Sequence, residues 1–129
     1  MSPSAKIKMP WHLTLEHRAC LGERVEVYNL APVALRERCV VAQHTYLCGG
    51  THSLNDLELL PVLVGEIEIG ADAFVGARAL ILPGVKIGPG AVIGAGAVVS
   101  RDAPAWMVCA GNPCRPVKPR TTDTPVARS

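Results

Sequence analysis

The sequence predicts an all-β protein, a parallel β-helix of about four short-stranded coils with one excursion loop and a short C-terminal extension. Three observations carry this. An aliphatic residue recurs every six positions, at Ile69, Val75, Ile81, Ile87, Ile93 and Val99. A small or modest apolar residue follows each one, at Ala73, Ala79, Val85, Ala91, Ala97 and Ala103. Glycine or proline interrupts every hexad, as in IGPGAV and IGAGAV. A helix has a period near 3.6 and tolerates those residues badly, and a single long strand would break at each hexad. A chain alternating short strand and bend satisfies all three. Each side points one aliphatic residue inward, three sides close a coil, and successive coils pair in parallel about 4.8 Å apart.

Upstream, the hexads LEHRAC, LGERVE and VYNLAP start at Leu15, Leu21 and Val27. After a two-residue step at Val33–Ala34 the register resumes with LRERCV, VAQHTY and LCGGTH, from Leu35, Val41 and Leu47. The predicted coils are therefore 15–34, 35–52, 69–86 and 87–104. Between the second and third lies an excursion, 53–68, that leaves the repeat immediately after His52. Beyond Pro104, AWMVCAGNPCRPVKPR loses the period, which marks an extension over 105–119. Residues 1–119 read as one domain and 120–129 as a flexible tail. A stack of this kind leaves both ends open, so caps or a partner copy are expected on physical grounds.

The formal net charge of +2 comes without any block of like charges, which argues against nucleic acid as a partner but not against a small anion. The stretch MSPSAKIKMPWHL lacks the apolar run of a signal peptide, and no segment reaches membrane-spanning length, so no membrane insertion and a cytoplasmic location are expected. The five cysteines form no C-x-x-C pair and read as reduced thiols. Zinc would need three converging imidazoles. His44 and His52 occupy the fourth and sixth positions of successive hexads, on different sides of the coil, and neither His12 nor His17 makes a convincing third ligand. No metal is expected, and a γ-class carbonic anhydrase is the weakest reading.

The hexads, the loop opening after Thr51–His52 and the closing AGNPCRPV together resemble the hexapeptide-repeat acyltransferases. Within them, PWHLTL, VYNLAP, YLCGGTHSLND and AGNPCRPV are most similar to the colanic-acid-type O-acetyltransferases and the galactoside and maltose acetyltransferases. The resemblance spans about residues 5–118. It implies a left-handed β-helix, an exception to the right-handed crossover rule. It also implies a homotrimer with acetyl-CoA in the groove between neighbouring subunits. Two departures stand out. Family members carry several dozen residues before the segment that AKIKMPW resembles, and Phe74 stands where relatives often have tryptophan.

Acetyl transfer from a thioester to a hydroxyl needs a base, and His52, outward at a corner with Thr51 inward, has the right chemistry. The resemblance places Asn29 at the sugar or glycan acceptor, with Tyr28 as a weaker neighbour; an outward Asn can both donate to and accept from a sugar hydroxyl. Arg101, Arg115 and Lys118 are candidates for the phosphates of coenzyme A. Ala77 and Ala95 match positions where relatives approach the cofactor through backbone groups, with the Ala77 N–H a candidate oxyanion donor. Ser100 matches a small hydroxyl residue beside the cofactor. Trp11 and Trp106 read as packing or capping residues, and Asn55 and Asp56 as solvated loop. The competing reading is a non-catalytic β-helix scaffold or assembly subunit that lacks the acceptor region.

Overall fold

Two- and three-residue strands separated by bends wind the chain into a triangular prism. The structure is a computed structural model that describes residues 1–52 and 62–121, with His52 described by its backbone. The first coil holds β1 (Lys6–Ile7), β2 (Leu13–Leu15) and β3 (Cys20–Leu21). The second holds β4 (Glu26–Tyr28), β5 (Val33–Leu35) and β6 (Val40–Val41). In the third, β7 (Tyr46–Cys48) is followed by a hairpin, β8 (Gly50–His52) and β9 (Val62–Val64), before β10 (Ile67–Ile69) and β11 (Phe74–Val75). The fourth holds β12 (Leu80–Ile81), β13 (Lys86–Ile87) and β14 (Val92–Ile93). The last has β15 (Val98–Val99), a bridge from Ala103 to Ile87, and β16 (Met107–Ala110), and β17 (Arg115–Pro119) folds back on β16.

The strands stack into three faces. Face I is β1-β4-β7-β12-β15, face II is β2-β5-β10-β13, and face III is β3-β6-β11-β14-β16 with β17 at its edge. All pairings along the stack are parallel; β16–β17 and β8–β9 are antiparallel.

From Leu21 onward the hexad residues fill the prism as expected, whereas Leu15, predicted inward, is 39% exposed in the end coil. Leu21, Val27, Leu35, Val41, Leu47, Ile69, Val75, Ile81, Ile87, Ile93 and Val99 are each 0–1% exposed. Burying each is worth about 1.5–3 kcal/mol. The second inward position holds the small residues, including Ala73, Ala79, Ala91 and Ala97. Upstream, Cys39 and Thr45 take that place, and Thr45 Oγ1 donates to the Gly76 carbonyl at 3.0 Å, which satisfies its buried hydroxyl.

Three further expectations change. There is one coil more than the hexads indicate, because a 3₁₀ turn, Pro10–His12, is inserted between β1 and β2 and hides the period. Thr51 is exposed, not inward, because the chain has already left the coil at Gly50. It rejoins at Ile67, which is 1% exposed and pairs with Val33, so the excursion starts earlier and ends sooner than 53–68. Residues 53–61, with Asn55 and Asp56, lie outside the described residues.

Corner turns place several non-glycine residues in the left-handed region. Arg18, Arg38, Asp72 and Trp106 do so at the II–III corner, and Arg24, His44 and Arg78 at the III–I corner. Rung-to-rung bonds hold these turns, among them His44 N–H to the Glu23 carbonyl at 2.9 Å and Asp72 N–H to the Glu37 carbonyl at 2.9 Å. Side chains also cross coils: Arg38 grips Asp72 at 2.7 and 2.9 Å, and Arg36 bridges Glu16 and Glu68 at 3.0 and 3.2 Å.

Trp106 packs over Gly90, where a Cβ would run into its ring. Arg120 closes the far side. Its N–H donates to the Trp106 carbonyl at 2.8 Å, its guanidinium donates to the Asp72 and Gly90 carbonyls at 2.7 and 3.0 Å, and it lies 5.7 Å from the Trp106 ring centroid. Arg120, expected in the tail, is therefore pinned, and residues 122–129 lie outside the described residues. Trp106 caps as expected, whereas Trp11 is 75% exposed and touches His12 edge-on.

A candidate active site on two corners

The candidate residues gather on two edges of the prism. At the I–II corner every one of the first three coils carries an insertion, and the insertions stack. The Pro10–His12 turn lies lowest, the residues after Tyr28 come next, and the β8–β9 hairpin stands on top. Bonds run through the column. Gly49 N–H donates to the Tyr28 carbonyl at 2.7 Å, and Gly65 N–H to the Gly49 carbonyl at 3.1 Å, which closes the hairpin's neck. The Cys48 thiol donates to the Gly50 carbonyl at 3.0 Å. His52 ends β8, opposite Val62.

Tyr28 is half-buried one coil below the hairpin. Asn29, expected to point outward toward an acceptor, is 0% exposed. Its Oδ1 accepts from Met9 N–H at 2.8 Å and its Nδ2 donates to the Met9 carbonyl at 2.6 Å, so its polar atoms are spent on the insertion beneath it. His12 Nδ1 donates to the Asn29 carbonyl at 3.2 Å. Asn29 thus supports the hairpin from below. Ser100 and Arg101, both exposed, lie at the same corner in the last coil, above Leu82, whose N–H donates to the Val99 carbonyl at 3.0 Å.

The III–I corner carries the other group. Gly96 N–H donates to the Ala77 carbonyl at 2.9 Å, which stacks the Ala95 turn on the Ala77 turn. Gly76 permits this, since a Cβ there would sit 2.6 Å from the Ala95 nitrogen. Neither the Ala77 nor the Ala95 N–H has a hydrogen-bond acceptor among the described residues. Above them Ala110 pairs with Arg115, while Lys118 pairs with Val108 further along β17. The chain therefore brings His52, Tyr28, Ser100 and Arg101 to one corner, and Ala77, Ala95 and Arg115 to the next. It does not bring the two corners together.

A match to the family described as bacterial transferase hexapeptide (six repeats) covers residues 66–101, the run in which the hexad is uninterrupted. Residues 66–101 are thus similar to that repeat family, within a chain that folds as a parallel β-helix. Among relatives, WcaF of Escherichia coli (strain K12), which bears the provisional name colanic acid biosynthesis acetyltransferase, is 36% identical over 135 residues. The match covers 92% of this chain and 64% of WcaF, so the chain spans somewhat less than two thirds of that relative's length. A maltose O-acetyltransferase from Clostridium difficile 630 superposes with a TM-score of 0.87 at 23% identity, over 93% of this chain and 65% of that one. The acetyltransferase VCA0836 of Vibrio cholerae, solved with acetyl coenzyme A, gives 0.88 at 21% identity, over 95% and 68%. At those identities the superpositions establish the fold.

Cysteine chemistry is muted in this β-helix. Burial pushes the Cys39 thiol up to about 11 and raises Cys109 and Cys114. All three therefore stay protonated at neutral pH. Among the described residues no group of three or more His, Cys, Asp or Glu is placed to hold a metal. Sequence reasoning passed over a cluster low on the III–I corner, Lys6, Arg24, Glu26 and His44 around an open cavity of about 580 Å³. Its signal was positional: Arg24, His44 and Arg78 take the same left-handed turn position on successive rungs.

Proposed function

We propose that the protein is an O-acetyltransferase that moves the acetyl group of acetyl-CoA to a hydroxyl of a sugar or glycan precursor, in a ternary complex and with His52 as general base. The observation that carries this reading is the hairpin that interrupts the repeat and ends its first arm at His52, in a chain 36% identical to WcaF. In the reaction the imidazole takes the acceptor hydroxyl's proton as the oxygen attacks the thioester carbonyl. The tetrahedral oxyanion is stabilised by backbone N–H groups, with Ala77 the candidate donor. Collapse expels the coenzyme A thiolate, which recovers the proton from the imidazolium. General-base help of this kind is worth about 10²–10⁴ in rate. No acyl-cysteine is required.

The active unit in this reading is a homotrimer, in which one copy's hairpin reaches the III–I corner of its neighbour. Two surfaces support self-association. The outward residues of face III are apolar along the stack: Cys20, Val40, Phe74, Val92 and Val108 stand in register, with Val40 37% and Phe74 40% exposed. On β9, Val62, Leu63 and Val64 are 53%, 50% and 54% exposed. Face II by contrast presents Thr14, Glu68 and Lys86, which suits solvent. In the groove Ala77, Ala95 and Ser100 would approach the cofactor, and Arg101, Arg115 and Lys118 its phosphates. The reaction needs no membrane and suits the cytoplasm, where acetyl-CoA is available.

The test is release of the coenzyme A thiol from acetyl-CoA in the presence of neutral sugars, sugar phosphates and nucleotide sugars. Acceptor-dependent release supports the reading. Acetyl-CoA binding with no acceptor that consumes it would point to a scaffold.

A further inference from the structure

The III–I corner does not stop at the candidate oxyanion donor. Below Ala77 it continues rung by rung. Arg78 N–H donates to the Gln43 carbonyl at 3.1 Å, His44 N–H to the Glu23 carbonyl at 2.9 Å, and Arg24 N–H to Ser4 Oγ at 3.0 Å. A single edge thus runs from Arg115 at the top, past Ala95 and Ala77, to the cavity of about 580 Å³ lined by Pro3, Ser4, Ala5, Lys6, Arg24, Glu26 and His44. That volume is in the range of small-molecule sites, about 300–1,000 Å³.

If coenzyme A lies against Ala77, Ala95 and Arg115, its acetyl end faces down this edge, and the cavity is the space beyond it. The lining has a sign. Lys6 and Arg24 bring basic side chains that have no ion-pair partner among the described residues, and His44 adds an imidazole. Glu26 is the single carboxylate. It occupies face I directly beside Lys6, as its register partner. A cavity with two free cations and one acid favours an anion that also offers hydroxyls: the cations meet the charge and the carboxylate accepts from the hydroxyls.

We propose that this cavity holds the acceptor, and that the acceptor is a sugar carrying a phosphate or pyrophosphate group, which Arg24 and Lys6 bind. A sugar 1-phosphate and a nucleotide-linked sugar share that chemistry. The assignment rests on the acetyltransferase reading for its catalytic meaning, but the anion site itself can be measured alone.

The experiment has two arms on the full chain. In the first, calorimetric titration with inorganic pyrophosphate, glucose 1-phosphate and UDP-glucose should show saturable binding. Arg24→Ala and Lys6→Ala should each weaken it about ten- to a hundredfold, the scale of one lost charge-assisted hydrogen bond. UDP-glucose binding more tightly than glucose 1-phosphate would identify the nucleotide-linked form, and the reverse order the simple phosphate; either supports the site. No saturable binding, or binding unchanged in both variants, would overturn it. In the second arm, acetyl transfer to the phosphorylated sugar should show the same rise in acceptor KM in Arg24→Ala, with the KM for acetyl-CoA unmoved. Methyl glucoside accepted as well as glucose 1-phosphate would also overturn the proposal. If acetyl-CoA does not bind while pyrophosphate does, the acetyltransferase reading fails and the anion site stands.

Discussion

The Asn29 side chain closes a two-point clamp on the backbone of Met9, accepting from its N–H at 2.8 Å and donating to its carbonyl at 2.6 Å. That pair joins the insertions of the first two coils, and the hairpin neck at Gly49 stands on the next carbonyl down, that of Tyr28. The corner that carries His52 is thus built from below by backbone and amide bonds.

Asn29→Ala should therefore cost stability as well as activity. It leaves two half-buried backbone groups of Met9 without their side-chain partners, a loss of about 1 kcal/mol or more. Asn29→Asp should be worse near neutral pH, because a carboxylate oxygen would face the Met9 carbonyl. Urea unfolding midpoints check both, and an unchanged midpoint in Asn29→Ala would exclude the clamp.

Gly90 has a φ of +68° and lies under the Trp106 ring. Gly90→Ala should cost about 2 kcal/mol or more, from left-handed strain plus displacement of the ring. Arg120 loses its stacking surface in the same step, so amide exchange along β17 should quicken. Normal protection of β17 in this variant would refute the coupling.

Much of this fold was legible in the sequence wherever the hexad ran unbroken. From Ile69 to Val99 every inward residue was read correctly, because a six-residue side with a bend leaves no choice about which side chain faces in. The errors cluster at the I–II corner. Asn29 was counted as the third residue of a regular hexad and so placed outward, but two added residues there turn it into the wall. Thr51 was placed inward by the same extrapolation, one side past the point where Gly49 and Gly50 release the chain. Arg120 looked like tail because its partners, Asp72, Gly90 and Trp106, are distant in sequence and converge only through stacking of the II–III corner. The split of candidate site residues over two corners was likewise invisible, since a period counts sides without saying which corners face one groove.

Burial raises the Cys39 thiol to about 11, with desolvation the leading cause. An unfolded cysteine ionises near about 8.5. Below that pH both states hold the proton and the stability is fully present. As pH rises from there through about 11 the unfolded chain releases its proton first, so stability falls. Cys109, Cys114 and Tyr46, also raised by burial, push in the same direction. Urea midpoints at pH 7 and pH 10 should show the decline, and Cys39→Ala should shallow it. A midpoint that rises over this range would contradict the assignment.

Val62 and Val64 share one side of β9 and are both more than half exposed. If that side packs on a neighbouring copy in the proposed trimer, Val62→Ser combined with Val64→Ser should shift the protein toward monomer in sedimentation velocity, with the β-sheet circular dichroism kept. A trimer indifferent to the double change would remove the hairpin from the interface.

The most direct measurement is the turnover of His52→Ala at saturating acetyl-CoA and acceptor, in protein shown to keep its fold and its assembly. The account predicts a loss of about 10²–10⁴ in kcat, with acetyl-CoA affinity held near that of the unaltered chain. Near-unaltered turnover in that variant would contradict it and take the base away from the hairpin.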